Sequence, residues 1–462
     1  MVFSSLTFIY WFIPVVLIIY FAVPRKYKNA VLLFASLLFY AWGEQLLVFL
    51  FFGTIVTGWI SARLIESKPI DSKLRKVIFI MTLVLDLGLL AWFKYMDFMI
   101  ENLNLISGLS IPLLKVTLPI GISFYTFQLI SYTVDVYRGR VAASKNLIDF
   151  AAYVSMFPQL IAGPIVRYQD VEKALTNRKA TANDIAYGIR RFVIGLGKKV
   201  LIANMLAEVV ASFKSTLDPS VLYYWVYIIC LCLQIYFDFS GYSDMAIGLG
   251  KILGFSFPEN FNYPYIAASI TDFWRRWHMT LGTWFRDYVY IPLGGNRKGF
   301  PRQILNILIV WMLTGLWHGA SWNFVLWGLY FAILLIIEKA LLAKWLTGHK
   351  IISHIYVIAA VMISFVIFDG TGITGILNNI KNLFGFNTVL PVLSKEALYI
   401  LRSNAVLMGI AIIGATPLPR RLFKKSVLKL PFIEPLILGI LLLISTACLV
   451  DGSFNPFLYF RF

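Results

Sequence analysis

Two histidines stand where imidazole chemistry would count. His318 lies in LTGLWHGASWNFVLWGLYF (313–331), within a run from Gln303 to Ile337 that holds no Asp, Glu, Lys or Arg across 35 residues. His278 lies in DFWRRWHMTLGTWFRDYVYIPLGGNRKG (272–299), among Arg275, Arg276, Arg286, Arg297 and Lys298. A histidine with an ordinary pKa of about 6.5 exchanges protons at neutral pH, and an ionisable group at membrane depth is costly enough to mark a functional path. Histidine also serves as hydrogen-bonding glue between membrane helices, so both readings stand for His318. Gly315, Gly319 and Ala320 favour the functional one, because small residues let a substrate or another chain approach the ring. For His278 the competing role is an interfacial anchor packed among tryptophans. The cations around it either meet anionic lipid headgroups or hold the phosphates of a bound donor.

Asp238 and Asp244 fall in QIYFDFSGYSDMAIGLGK (234–251), with Ser240, Tyr242 and Ser243. They suit interhelical hydrogen bonding that shapes a cavity better than a proton relay, and Gly241 is a place for the helix to open. His349 and His354 flank a basic turn and face water or headgroups. His278 and His318 have no Cys, Asp or Glu at ligand spacing, and HExxH is absent, so no metal is expected. Neither a nucleophile elbow nor a phosphate-binding loop is present, which disfavours ATP-driven transport by this chain alone.

The elements that must position these residues are membrane helices. The chain is 59% hydrophobic and 16% aromatic, with mean hydropathy +0.77, and it repeats apolar runs of the ~20 residues that one bilayer crossing needs. The first, FSSLTFIYWFIPVVLIIYFAV, has neither a basic n-region nor a small-residue cleavage site and reads as a retained helix. Further crossings are expected near 188–212, 221–248, 303–337, 352–369, 405–416 and 432–450, about ten to twelve in all. The 303–337 run is either one long helix or two broken at Gly315 or Gly319. Cys230, Cys232 and Cys448 lie in apolar segments, so neither a disulfide nor a thiolate site is expected.

A net charge of +18 would suggest nucleic acid in a soluble protein. Here the basic residues sit in short loops, at 24–28, 61–76 and 137–145, alternating with non-basic ones. That places the N-terminus outside and these loops in the cytoplasm. Residues 150–166 are short and broken by Pro158, Gly163 and Pro164, so they read as a re-entrant hairpin, which needs protein or water around it. In the long polar stretch 251–302, Ser269 and Asp272 form a capping box and Pro292, Gly294 and Gly295 a stop. One amphipathic helix over roughly 270–290 is therefore expected near the cytoplasmic surface, with Trp274, Trp277, Leu281, Phe285 and Tyr288 on one face. No repeat or linker divides the chain, and 1–462 is taken as one domain.

The two histidine blocks, QIYFDFSGYSDMAIGLGKILGF (234–255) and the closing FNPFLYFRF together resemble the membrane-bound O-acyltransferase family, and within it the bacterial AlgI-like branch that O-acetylates polysaccharides. The resemblance runs essentially end to end. It implies an all-α polytopic fold of helices around a funnel, with a tunnel joining the two membrane faces. It also implies that His318 is essential and that His278 assists. His318 would deprotonate the acceptor hydroxyl while His278 or nearby dipoles polarise the thioester carbonyl. Acetyl-CoA would be the cytoplasmic donor, with no tightly bound cofactor. Arg275, Arg276, Arg286, Arg297 and Lys298 would attract it. The branch further implies an exported SGNH-type transferase as partner, with FNPFLYFRF a candidate contact, and a bacterial inner-membrane location. Within the family the alternative is D-alanyl transfer to teichoic acid. Outside it, the alternative is a transporter or lipid scaffold in which His318 is structural.

Overall fold

A segment inside a bilayer must satisfy its own backbone hydrogen bonds, and a helix does so. The computed structural model describes residues 2–161, 163–427 and 432–452, and FNPFLYFRF lies outside the described residues. Helices joined by turns and loops make up these residues, with no strand among them. Among the described residues eight helices are long and apolar enough to cross a membrane: Leu47–Glu66, Lys73–Ser107, Val221–Ile252, Phe300–His318, Trp322–Gly348, Lys350–Phe368, Lys395–Gly414 and Ile433–Asp451. The shorter apolar helix Phe8–Ala22, and Lys28–Glu44, Ile122–Tyr137 and Ala182–Gly197, accompany them. This is an all-α polytopic membrane fold. The 303–337 run is two helices, because the chain turns extended at Gly319 (φ −173°) and Ser321 (φ −156°) before helix Trp322–Ile337 begins.

Contacts divide the chain into two compact units, residues 1–192 with 243–258 and residues 193–242 with 259–462. In the first, helix Ile122–Tyr137 is buried at every position from Ile122 to Val136. Two of its basic loops are tied at one end: Arg75 donates to the Val136 and Tyr137 carbonyls, and Glu66 accepts the Ala143 N–H at 2.9 Å. Beside the third loop, the Asn29 amide donates to Asp149 at 2.6 Å and to the Leu175 carbonyl at 2.9 Å. Residues 150–161 form one helix ending at Ser155 and a single turn, Phe157–Leu160, and are buried throughout. The following chain returns beside the first helix, with Tyr153 donating to the Val166 carbonyl. Neither piece is long enough to cross, and protein surrounds both, as irregular backbone at membrane depth requires. Arg178 binds Tyr20 and Asn29 at 2.7 and 2.6 Å, and Arg191 pairs with Asp244 at 2.7 Å.

In the second unit, Asp238 pairs with Lys199 at 2.6 Å, both side chains 3% exposed. The serine- and aspartate-bearing helix does not open at Gly241: Val221–Ile252 is unbroken. A Cβ at Gly241 would lie 2.8 Å from the Gly195 carbonyl oxygen, so this glycine admits a neighbouring helix. His354 is half-buried and meets the Ala267 carbonyl at 2.9 Å, so it ties helix to loop and is not simply solvated.

Candidate active site

The RRWH segment does not form the single helix expected over 270–290. Ser269 accepts the Asp272 N–H at 2.9 Å and starts helix Ile270–Trp274. The same helix start is held from a distance by buried Glu338, which accepts the Ile270 N–H, and the Thr271 N–H and hydroxyl at 3.1 and 3.0 Å. A carboxylate at a helix N-terminus meets both unpaired N–H groups and the positive end of the dipole. The helix then ends at Trp274, and a second begins at Met279. Between them His278 adopts the left-handed region, φ +43°, ψ +51°. A non-glycine residue holds that conformation only where its surroundings impose it. Here Met279 N–H donates to the Asn260 carbonyl at 3.0 Å and Asn262 N–H to the Arg276 carbonyl at 2.9 Å. The 260–262 stretch thus clamps the bend.

The bend turns His278 inward. Its ring is 1% exposed, with Nδ1 3.0 Å from Asn260 Oδ1 and the Phe239 ring edge-on at 4.6 Å. The segment lies between the spanning helices, and burial pushes the His278 pKa down to about 3, because desolvation disfavours the charged ring.

His318 ends helix Phe300–His318 and is 4% exposed. Trp327 and Phe368 stand nearly perpendicular to its ring, at 4.8 and 5.4 Å. The glycines around it serve packing and not ligand approach. A Cβ on Gly319 would fall 2.2 Å from the Phe324 ring, and one on Gly315 2.3 Å from the Phe324 carbonyl oxygen. The space beside these two glycines is filled by the chain's own next helix.

Trp317 joins the two histidines. Its ring centroid is 5.7 Å from that of His278 and 5.0 Å from that of His318. Residues 40 apart in sequence therefore flank one indole in a buried aromatic chamber. Within it, His278 Nε2 and Trp327 Nε1 are buried and have no hydrogen-bond partner among the described residues. Two imidazoles able to carry protons, walled from water, suit transfer of a group between a thioester and a hydroxyl.

A profile of the membrane-bound O-acyltransferase family matches residues 140–376, which include both histidines. The chain belongs to this family. Members similar to it include a probable alginate O-acetylase of Azotobacter vinelandii, 41% identical over 423 residues, 90% of this chain and 84% of the relative. A peptidoglycan O-acetyltransferase of Helicobacter pylori is 35% identical, over 86% of this chain and 82% of the relative. A teichoic acid D-alanyltransferase of Bacillus subtilis is 30% identical, over 54% of this chain and 68% of the relative. This membrane-bound O-acyltransferase is therefore an enzyme and a multi-pass membrane protein.

Its cations divide into two sets. Arg276 binds Asp272 at 3.0 Å and Arg286 binds Asp287 at 2.8 Å. Arg275, Arg297 and Lys298 are exposed, on the turn before His278 and on the glycine-bracketed loop after residue 290. Residue types pointed to the two histidines, and the structure sets both beside Trp317. Residue types missed Asn260 and Glu338, because each acts on a residue 18 or 68 positions away. The one local hint of Asn260 is an uncharged amide in the aromatic stretch PENFNYPY (258–265).

Proposed function

We propose that this chain carries acetyl groups from cytoplasmic acetyl-CoA across the bacterial inner membrane for O-acetylation of a cell-surface polysaccharide. The carrying observation is the 41% identity over 90% of the chain to a probable alginate O-acetylase. The similarly full-length match to a peptidoglycan O-acetyltransferase points the same way. The match to the D-alanyltransferase spans 54% of the chain. The whole of 1–462 acts as one catalytic domain, with the N-terminus outside and the basic loops in the cytoplasm. An exported SGNH-type protein is the partner that delivers the acetyl group to the polymer.

In the reaction, His318 takes the proton of the acceptor hydroxyl, and the oxygen attacks the thioester carbonyl carbon. The C–S bond breaks, and the departing thiolate recovers the proton from His318. A positioned base of this kind contributes about 10²–10⁴-fold. His278, beside the same indole, completes the catalytic pair. Arg275, Arg297 and Lys298 are exposed and attract the donor's phosphates, with Arg276 and the likewise exposed Arg286 beside them holding the local carboxylates.

The test is base-labile ester on the host's surface polymers, compared at equal membrane levels between the native chain and His318→Ala. Released acetate that disappears in the variant supports the reading. Released D-alanine assigns the chain to teichoic acid modification, and an unchanged ester yield removes His318 from the chemistry and favours a transporter or scaffold.

A further inference from the structure

Asn260 lies fully buried behind His278. Its side-chain oxygen receives the Thr280 hydroxyl at 2.9 Å and the Thr280 backbone N–H at 3.4 Å, with His278 Nδ1 at 3.0 Å. A backbone N–H can only donate, so the Asn260 atom at this junction is the carbonyl oxygen and not the amide nitrogen. An oxygen there obliges Nδ1 to carry a proton. In a neutral imidazole, a proton on Nδ1 leaves Nε2 with a lone pair and no hydrogen. Among the described residues that buried Nε2 has no hydrogen-bond partner, a condition that is costly until a donor meets it.

We infer that Asn260 is a positioning residue of the acyl-transfer site: its side-chain oxygen holds His278 as the Nδ1–H tautomer and fixes Nε2 as an acceptor for an O–H or N–H of the bound substrate. The inference rests on the acyltransferase reading above and changes one of its roles. A neutral ring with a bare Nε2 cannot donate to a thioester carbonyl, so His278 accepts from substrate and does not polarise the carbonyl. Burial keeps the ring neutral, so protonation does not restore a donor at neutral pH. The Asn260 carbonyl also accepts the Met279 N–H, so one residue sets both the left-handed backbone of His278 and the proton on its ring.

The chain has four histidines, which makes ring-nitrogen NMR of ¹⁵N-histidine-labelled full-length protein in lipid nanodiscs direct. His349→Gln and His354→Gln remove the two signals outside the site. The expected result is an Nδ1-protonated His278 in the native chain and loss of that fixed tautomer in Asn260→Leu, with kcat reduced roughly 10- to 100-fold. Asn260→Asp keeps an acceptor, so the tautomer persists. The added negative charge raises the pH at which the His278 ring protonates, read from the same nitrogen signals, by about one unit or more. A rise in KM for the hydroxyl acceptor assigns the substrate donor to its O–H, and a rise in KM for the thioester assigns it to an amide N–H of the donor's arm. An Nε2-protonated His278 in the native chain overturns the inference, as does Asn260→Leu with native tautomer and native pH profile. The tautomer is read without turnover, so this result stands apart from any failure to find O-acetyl transfer.

Discussion

Gly328→Ala tests whether the packing of helices Phe300–His318 and Trp322–Ile337 places His318. A Cβ on Gly328 would lie 2.2 Å from the Trp311 carbonyl oxygen, where ordinary contact begins at 3.4 Å. The facing helix must therefore withdraw by about 1.2 Å, and the obstacle is backbone, which has no rotamer to yield. Its own glycine, Gly315, sits 3.4 Å across the same contact and one turn before His318. Overpacking of this kind costs about 1–3 kcal/mol, which a large helical core survives, whereas displacing a reacting group by about 1 Å costs on the order of 10²-fold in rate. The variant is expected to fold, to lose roughly 100-fold in kcat and to change little in KM. The control is Gly439→Ala, whose Cβ meets nothing within 4 Å and which should retain native turnover. Acetyl release by purified protein is measured beside its folded fraction by size exclusion and thermal midpoint. Native turnover in folded Gly328→Ala would refute the argument. A Gly315→Ala variant that raises only the acceptor KM would show that substrate, not Phe324, occupies the notch.

Two further outcomes follow from the buried charges. Lys199→Met leaves Asp238 buried without its 2.6 Å partner and should cost about 3–5 kcal/mol, while Lys199→Met with Asp238→Leu should recover most of that loss. Equal stability of the single and double variants in detergent unfolding would contradict this. His278 has a folded pKa near 3, below its unfolded value of about 6.5. The unfolded chain therefore binds the extra proton between these pH values, and stability is complete above about 6.5 and falls as the pH drops. From pH 6.5 to 5 the native chain should lose about 2 kcal/mol more than His278→Gln, and identical acid profiles of the two would deny the burial that shifts the ring.

The helices were legible because a bilayer imposes one solution on each apolar run: length alone separates crossings from residues 150–161, which are too short to cross. The start of the RRWH helix was legible too, since Ser269 is a local cap. Its end was not. Nothing between Arg275 and Met279 breaks a helix by propensity, and the wheel of Trp277, Leu281 and Phe285 reads as continuous. The break is imposed by hydrogen bonds from 260–262, a segment that local pattern reads only as aromatic loop. The same non-locality misdirected the glycines: small residues near a histidine look like an opening until the residue that fills it, Phe324, is placed. Residue type thus points to the groups that can carry protons, while their tautomers and reach depend on neutral amides and glycines far along the chain. In an apolar chamber such neutral partners are the economical choice, because a second buried charge beside each imidazole would demand its own compensation.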